Sequence, residues 1–154
     1  MDFGQIKDEQ RKLAVFAGKW TGTETMHPSP WDPKGGTATG RLESRLLDGF
    51  AVITEYEQER DGKVTYRGHG VYGWDPFGRC YVMHWVDNMG GAVHLQGARG
   101  EWKGNQLVYS ASNPMGHSRY TYTLASDGQI QFKIEMSPDG QSWSTFMDAA
   151  YTRV

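Results

Sequence analysis

Five histidines, at positions 27, 69, 84, 94 and 117, carry the widest range of chemistry in this chain. A neutral imidazole ligates metals, and one near its ordinary pKa moves protons at physiological pH. A histidine beside a carboxylate makes a general base with its orienting partner, and Asp87 is the carboxylate that His69, His84 or His117 could use. Asp87 stands before Asn88-Met89-Gly90, and ordinary turn capping is the favoured reading of it. His69, His84 and His94 fall on three successive segments. Side by side they would have the composition of a zinc or iron site. Cys80 is the single cysteine and has no activating neighbour in sequence, which fits a buried structural thiol. No Gly-x-Ser-x-Gly, no His-Glu-x-x-His and no phosphate-cradling glycine loop before a helix occurs. The glycines of Arg67-Gly68-His69-Gly70-Val71-Tyr72-Gly73 lie within a strand pattern and point to close packing.

The elements that must position these residues are strands. With 154 residues the chain fits one domain, 1–154, and buries roughly 68–70% of its unfolded surface. One cysteine excludes a disulfide-built scaffold. Sixteen Lys and Arg against 18 Asp and Glu, a net charge of −2, exclude a nucleic-acid-binding footprint. No apolar run approaches the roughly 20 residues that span a bilayer. Met1-Asp2-Phe3-Gly4 opens no signal peptide, so a cytoplasmic protein without membrane partners is expected.

The 20 Gly, 6 Trp and 8 Tyr suit short strands and tight turns. A helical pattern covers only Gln5–Phe16 and stops at Gly18, which places residues 1–17 as a helix over one end of the domain. After that the period is two. Asp48-Gly49, Asp61-Gly62, Asp127-Gly128 and Asp139-Gly140 are hairpin dipeptides, and Asp75-Pro76-Phe77-Gly78 is a four-residue turn. Asn88–Gly91, Gly100–Gly104 and Asn113–Gly116 supply three more. Ten strands are predicted near 18–26, 36–47, 50–60, 63–74, 79–87, 92–99, 105–112, 117–126, 129–137 and 142–153. A meander this long removes its edges by closing, so the fold class is all-β, a ten-stranded up-and-down antiparallel barrel with a short N-terminal helix.

Gly18-Lys19-Trp20, just after the helix, resembles the opening of the calycin superfamily of lipocalins and fatty-acid-binding proteins. That resemblance implies that Trp20 closes the barrel floor and that Arg153 packs across it, a stable guanidinium–indole stack. His27-Pro28-Ser29-Pro30-Trp31, Arg67-Gly68-His69-Gly70, Trp85-Val86-Asp87-Asn88-Met89-Gly90, Pro114-Met115-Gly116-His117 and Tyr151-Thr152-Arg153 resemble an uncharacterised bacterial lipocalin-like family, Domain of Unknown Function 1579. It implies a fold and no reaction. Nitrobindin-like haem barrels are similar more distantly, but 129–154 hold no histidine where such a barrel places its ligand.

In a meander, alternate loops share one end. With Trp20 and Arg153 at the floor, the loops at 27–35, 61–62, 88–91, 113–116 and 138–140 lie at the mouth, bringing His27, Trp31, Asp87, Met89, Met115 and His117 together. By parity Trp143, Thr145, Met147, Ala149 and Tyr151 point inward, as do Ile130, Phe132, Ile134 and Met136 and Tyr120, Tyr122 and Leu124. A turn at 75–78 sets Trp74 opposite Arg79, hence His69 opposite His84, with Gly70 and Gly68 opposite Met83 and Trp85. The function expected is binding of a small, largely hydrophobic or aromatic molecule within the barrel. The binding residues expected are His27, Trp31, His69, His84, Trp85, Asp87, Met115, His117, Tyr120, Tyr122 and Met147. An isomerase- or cyclase-type enzyme using a mouth histidine and Asp87 is one alternative. A haem or metal-ion protein using His69, His84 or His94 is the other, although no cofactor is expected. A homo-oligomer is left open.

Overall fold

Strict alternation builds the first strand. Along β1 (Gly18–Met26), Trp20, Glu24 and Met26 are buried and every residue between them is not. The same period of two runs through β2 (Gly36–Leu47), β3 (Ala51–Arg60), β4 (Lys63–Asp75) and β5 (Cys80–Asp87). It continues in β6 (Ala98–Lys103), β7 (Gln106–Asn113), β8 (Gly116–Leu124), β9 (Ile130–Ser137) and β10 (Ser144–Arg153). The computed structural model describes residues 4–90 and 97–154. Each strand pairs antiparallel with the next, and β1 pairs with β10, so the sheet is a closed ten-stranded barrel. Closure pairs the first strand with the last, and among the described residues β5 meets β6 over Tyr81–Met83. Asp48-Gly49 and Asp61-Gly62 turn their hairpins with both residues at positive φ, the backbone that matches the twist of the strands.

Three details differ from the sequence reading, and a fourth lies largely outside the described residues. The N-terminal helix is not continuous over Gln5–Phe16 but is a single turn, α1 (Asp8–Arg11), followed by a 3-10 segment at Lys12–Phe16. Its apolar residues do not recur over successive turns, so tertiary contacts hold it: Leu13 is buried and the Tyr81 hydroxyl donates to the Glu9 carbonyl at 2.8 Å. The strand expected at 92–99 falls largely on 91–96, outside the described residues. Gly100, expected in a turn, sits mid-strand in β6 opposite Tyr109, whose ring occupies the space a side chain would need. Trp143 and Thr145 face outward. A bulge between Thr145 and Met147 adds one residue and reverses the parity before it, and Trp143 lies outside under the Arg119 guanidinium, 4.1 Å from its ring centre.

The floor is closed by packing. Trp20 donates its indole N–H to the Phe16 carbonyl at 3.0 Å, and the Arg153 guanidinium stacks 4.2 Å over its ring. Arg153 also donates to the carbonyls of Val15 and Ala17, which ties the N-terminal segment to the last strand. Above it, Leu13, Val52, Tyr81, Leu107 and Tyr109 fill the lower barrel. A cavity of about 40 Å³ among Phe16, Trp20, Leu42, Val52, Tyr72 and Tyr122 has room for a few waters and no larger molecule.

Candidate functional site

The mouth half of the barrel begins at a buried carboxylate. Glu24 is fully buried and points inward from β1 between Gly22 and Met26. Tyr151 donates to its Oε1 at 2.6 Å, Gln58 to its Oε2 at 2.6 Å, and the Tyr56 hydroxyl lies 2.7 and 2.8 Å from the two oxygens. Three donors are what a carboxylate needs when no water reaches it. Burial first, and then the Glu24 charge, push the phenols of Tyr56 and Tyr151 above their ordinary value, so both keep their protons. Gly40 on β2 leaves the space that the carboxyl group fills.

A second polar chain stands beside the first. The Trp85 indole N–H donates to the Tyr66 hydroxyl at 2.9 Å, and Tyr66 donates to Asp87 Oδ2 at 2.8 Å. Asp87 Oδ1 accepts the Met89 amide at 3.0 Å. The rings of Tyr66 and Trp85 lie 5.6 and 5.8 Å from that of Tyr56, so one aromatic wall joins both carboxylates. Gly68 and Gly70, opposite Asp87 and Trp85, leave β4 bare where the indole lies across it. Burial, followed by the bond to Asp87, holds the Tyr66 phenol above its ordinary value.

The facing wall comes from β8 and β9. Tyr120, Phe132, Ile134 and Met136 point inward and are only half-buried, whereas Leu107, Tyr109 and Ile130, inward in the floor half, are buried. Deeper in, Tyr72 and Tyr122 meet through their hydroxyls at 3.1 Å, and burial raises the Tyr72 phenol to about 12.

A family model described as Protein of unknown function (DUF1579) matches residues 5–153. The chain belongs to that family. A search of curated proteins finds no match. Among solved structures, the DUF1579 barrel is similar to Rv2717c from M. tuberculosis, with a TM-score of 0.71 and 12% identity over 97% of this chain and 99% of that one. It is also similar to a point-mutant form of the fluorescent protein UnaG, with a TM-score of 0.55 and 15% identity over 92% of this chain and 98% of that one. These likenesses show the fold: a closed antiparallel β-barrel shared over nearly the whole chain.

Of the residues singled out in the DUF1579 sequence, Trp85, Asp87, Tyr120, Tyr122 and Met147 face the interior. Met147 packs with Met26 and Ala38. His27, Trp31, Met115 and His117 lie at the mouth end but on its outside. His27 pairs with Asp148 on the outer face, and Trp31 is 67% exposed with its edge toward Phe146. Met115 is 81% exposed at its turn, and His117 Nδ1 lies 2.8 Å from the Ser112 hydroxyl.

The expected pairing of His69 with His84 is corrected. Asp75 lies opposite Cys80, so His69 faces Val86 and His84 faces Val71, a shift of two residues. The shift keeps both histidines on one face, and that face is the outer one. There His69 Nδ1 lies 2.6 Å from Glu55, and neither ring belongs to the cavity wall. Trp85 lies opposite Gly70 rather than Gly68, and Met83 opposite Tyr72. Among the described residues no histidine bonds Asp87, and no group of three His, Cys, Asp or Glu side chains is placed to hold a metal ion. His94 lies outside the described residues. Among the described residues no helix is long and apolar enough to cross a membrane.

The residues that sequence reasoning missed are Glu24, Tyr56, Gln58 and Tyr66. The signal for Glu24 was present. Once Trp20 points inward, Gly22, Glu24 and Met26 follow at intervals of two.

Proposed function

We propose that this barrel binds a small, largely apolar or aromatic molecule in its mouth half, without a resident cofactor. Entry runs between the segments 27–35, 88–90 and 113–117. The observation that supports this reading is the contrast in exposure along one set of inward-facing positions. Leu107, Tyr109 and Ile130 are buried near the floor, while Trp85, Tyr120, Ile134 and Met136 stay half-exposed near the mouth. Inward aromatic and Met side chains left partly uncovered line a concave seat, and a few placed polar groups fix orientation within it. Barrels of this type hold one small ligand in that region.

A neutral apolar fluorophore, Nile red, tests the reading. The protein should take it up saturably with one site. Ile134→Trp puts an indole into the mouth half, where Ile134 packs toward Met26 and Met147, and should abolish uptake without unfolding the barrel. No saturable uptake by the unaltered protein, or full uptake by the folded variant, would overturn the proposal. Mass spectrometry of organic extracts of the purified protein then identifies any molecule it carries.

A further inference from the structure

Among the described residues, the inward charge of the barrel between its ends has one sign. Between its two ends, the inward positions of the described residues carry two carboxylates, Glu24 and Asp87, and no Lys, Arg or His. Among the described residues, cations at inward register occur only at strand ends. Arg60 is held at the rim by Asp32 and the Gly35 carbonyl, Lys63 is exposed beside it, and Arg153 caps the floor beyond Trp20. Glu24 is completed by its three donors, whereas Asp87 is only partly buried and keeps acceptor capacity beyond its bonds to Tyr66 and Met89.

The donors point the same way. The protons of Tyr56, Tyr151 and the Gln58 amide are spent on Glu24. Those of Trp85 and Tyr66 are spent in a chain that ends on Asp87. What is left for a guest is mostly acceptor capacity: the remaining lone pairs of Asp87, the Gln58 amide oxygen, and the π faces of Tyr56 and of Tyr66 and Trp85, each within 6 Å of Tyr56. The Tyr120 hydroxyl, 3.4 Å from Ser118, can serve either way. Aromatic faces beside a carboxylate are the surroundings in which an organic cation is most favoured over a neutral molecule of the same shape. An anion entering the same space meets two like charges and few free donors.

We propose that the seat selects organic cations, specifically apolar or aromatic amines and quaternary ammonium compounds, and rejects carboxylates such as fatty acids. This rests on the seat proposed above, so the test separates the two. Nile red reports the seat, and three benzyl compounds of similar size compete for it: benzyltrimethylammonium, its uncharged carbon isostere neopentylbenzene, and phenylacetate. The cation should displace the dye at about one-tenth the concentration the isostere needs. Phenylacetate should not displace it. Asp87→Asn, which keeps the shape and the turn cap, should bring cation and isostere within about threefold of each other. Raising salt from about 0.05 M to about 0.5 M should weaken the cation and leave the isostere unchanged, an independent readout should the variant fold poorly. Equal displacement by cation and isostere, or displacement by phenylacetate, with Nile red bound as expected, overturns the cation selectivity alone. Absence of saturable Nile red binding overturns both readings.

Discussion

Gly40 on β2 and Glu24 on β1 share one volume: the carboxyl group of Glu24 lies where the side chain of any residue larger than glycine at position 40 would begin. The glycine is therefore part of the carboxylate site, although it has no side chain of its own.

Gly40→Ala should accordingly destabilise the protein by about 1–3 kcal/mol, the usual cost of forcing atoms into a packed interior. The Glu24 carboxyl would have to leave its three donors or push β2 away. Gly73→Ala is the control. It lies in β4 with no neighbouring atom near the site of a Cβ and with no positive φ. It should be neutral or stabilising by about 0.5–1 kcal/mol. Denaturant melts of the two variants check this, and equal effects would show that the Glu24 volume is not constrained.

The floor yields a second expectation. Trp20 is 4% exposed, packs with Ile130, Ala149 and Tyr151, and supports the Arg153 guanidinium. Trp20→Ala should cost about 3–5 kcal/mol, as for other large buried aromatics. Arg153→Lys should cost less, because it keeps the charge but loses the planar stack and the paired bonds to Val15 and Ala17. Thermal denaturation of the two variants gives the order directly.

Alkaline pH tests the buried phenols. Burial raises the pKa of Tyr56, Tyr66, Tyr72, Tyr81, Tyr109, Tyr122 and Tyr151 in the folded state. In the unfolded chain each ionises near its ordinary value of about 10. Above that pH the unfolded state binds fewer protons than the folded one, so stability is fully present below about pH 10 and falls as pH rises toward and past 12. Absorbance at 295 nm should therefore show few phenols ionising near pH 10 and a cooperative rise with unfolding. Non-cooperative ionisation of all eight tyrosines near pH 10 would refute it.

The barrel was legible because its signals are local and repeated. Hairpin dipeptides cut the chain, and alternation gave the inward set on β8, β9 and the end of β10. The site was legible only in part, for three physical reasons. A glutamate in a strand reads as solvent-facing by type, and only the phase running from Trp20 reveals Glu24 as inward. The turn after Asp75 ends on Arg79 at φ 51°, a left-handed residue within the connection, so the next strand starts one residue later and the register moves by two. The extra residue at Phe146 belongs to a bulge with no sequence mark, and it reversed the face of Trp143 and Thr145.

Gly68 gives the last expectation, because it links β4 to the proposed seat without touching a guest. A Cβ at Gly68 would run into the six-membered ring of Trp85, within 2.6 Å of Cε2 and 2.9 Å of Cη2. The indole lies flat against β4 at that point and is held by its N–H bond to Tyr66. In Gly68→Ala the strand cannot yield, since it is paired on both sides, to Tyr56 and to Asp87. The ring must swing toward the barrel axis. That breaks the Trp85–Tyr66 bond, at a cost of about 0.5–1.5 kcal/mol, and places the indole in the mouth half. The variant should stay folded, with a shifted Trp85 indole N–H resonance and Nile red uptake reduced about tenfold or more, because the displaced ring occupies the volume a guest would use. Position 73 again supplies the control, with uptake unchanged. A folded Gly68→Ala variant with a displaced indole signal and undiminished uptake would mean that the dye binds elsewhere and that the Trp85 wall does not line the seat.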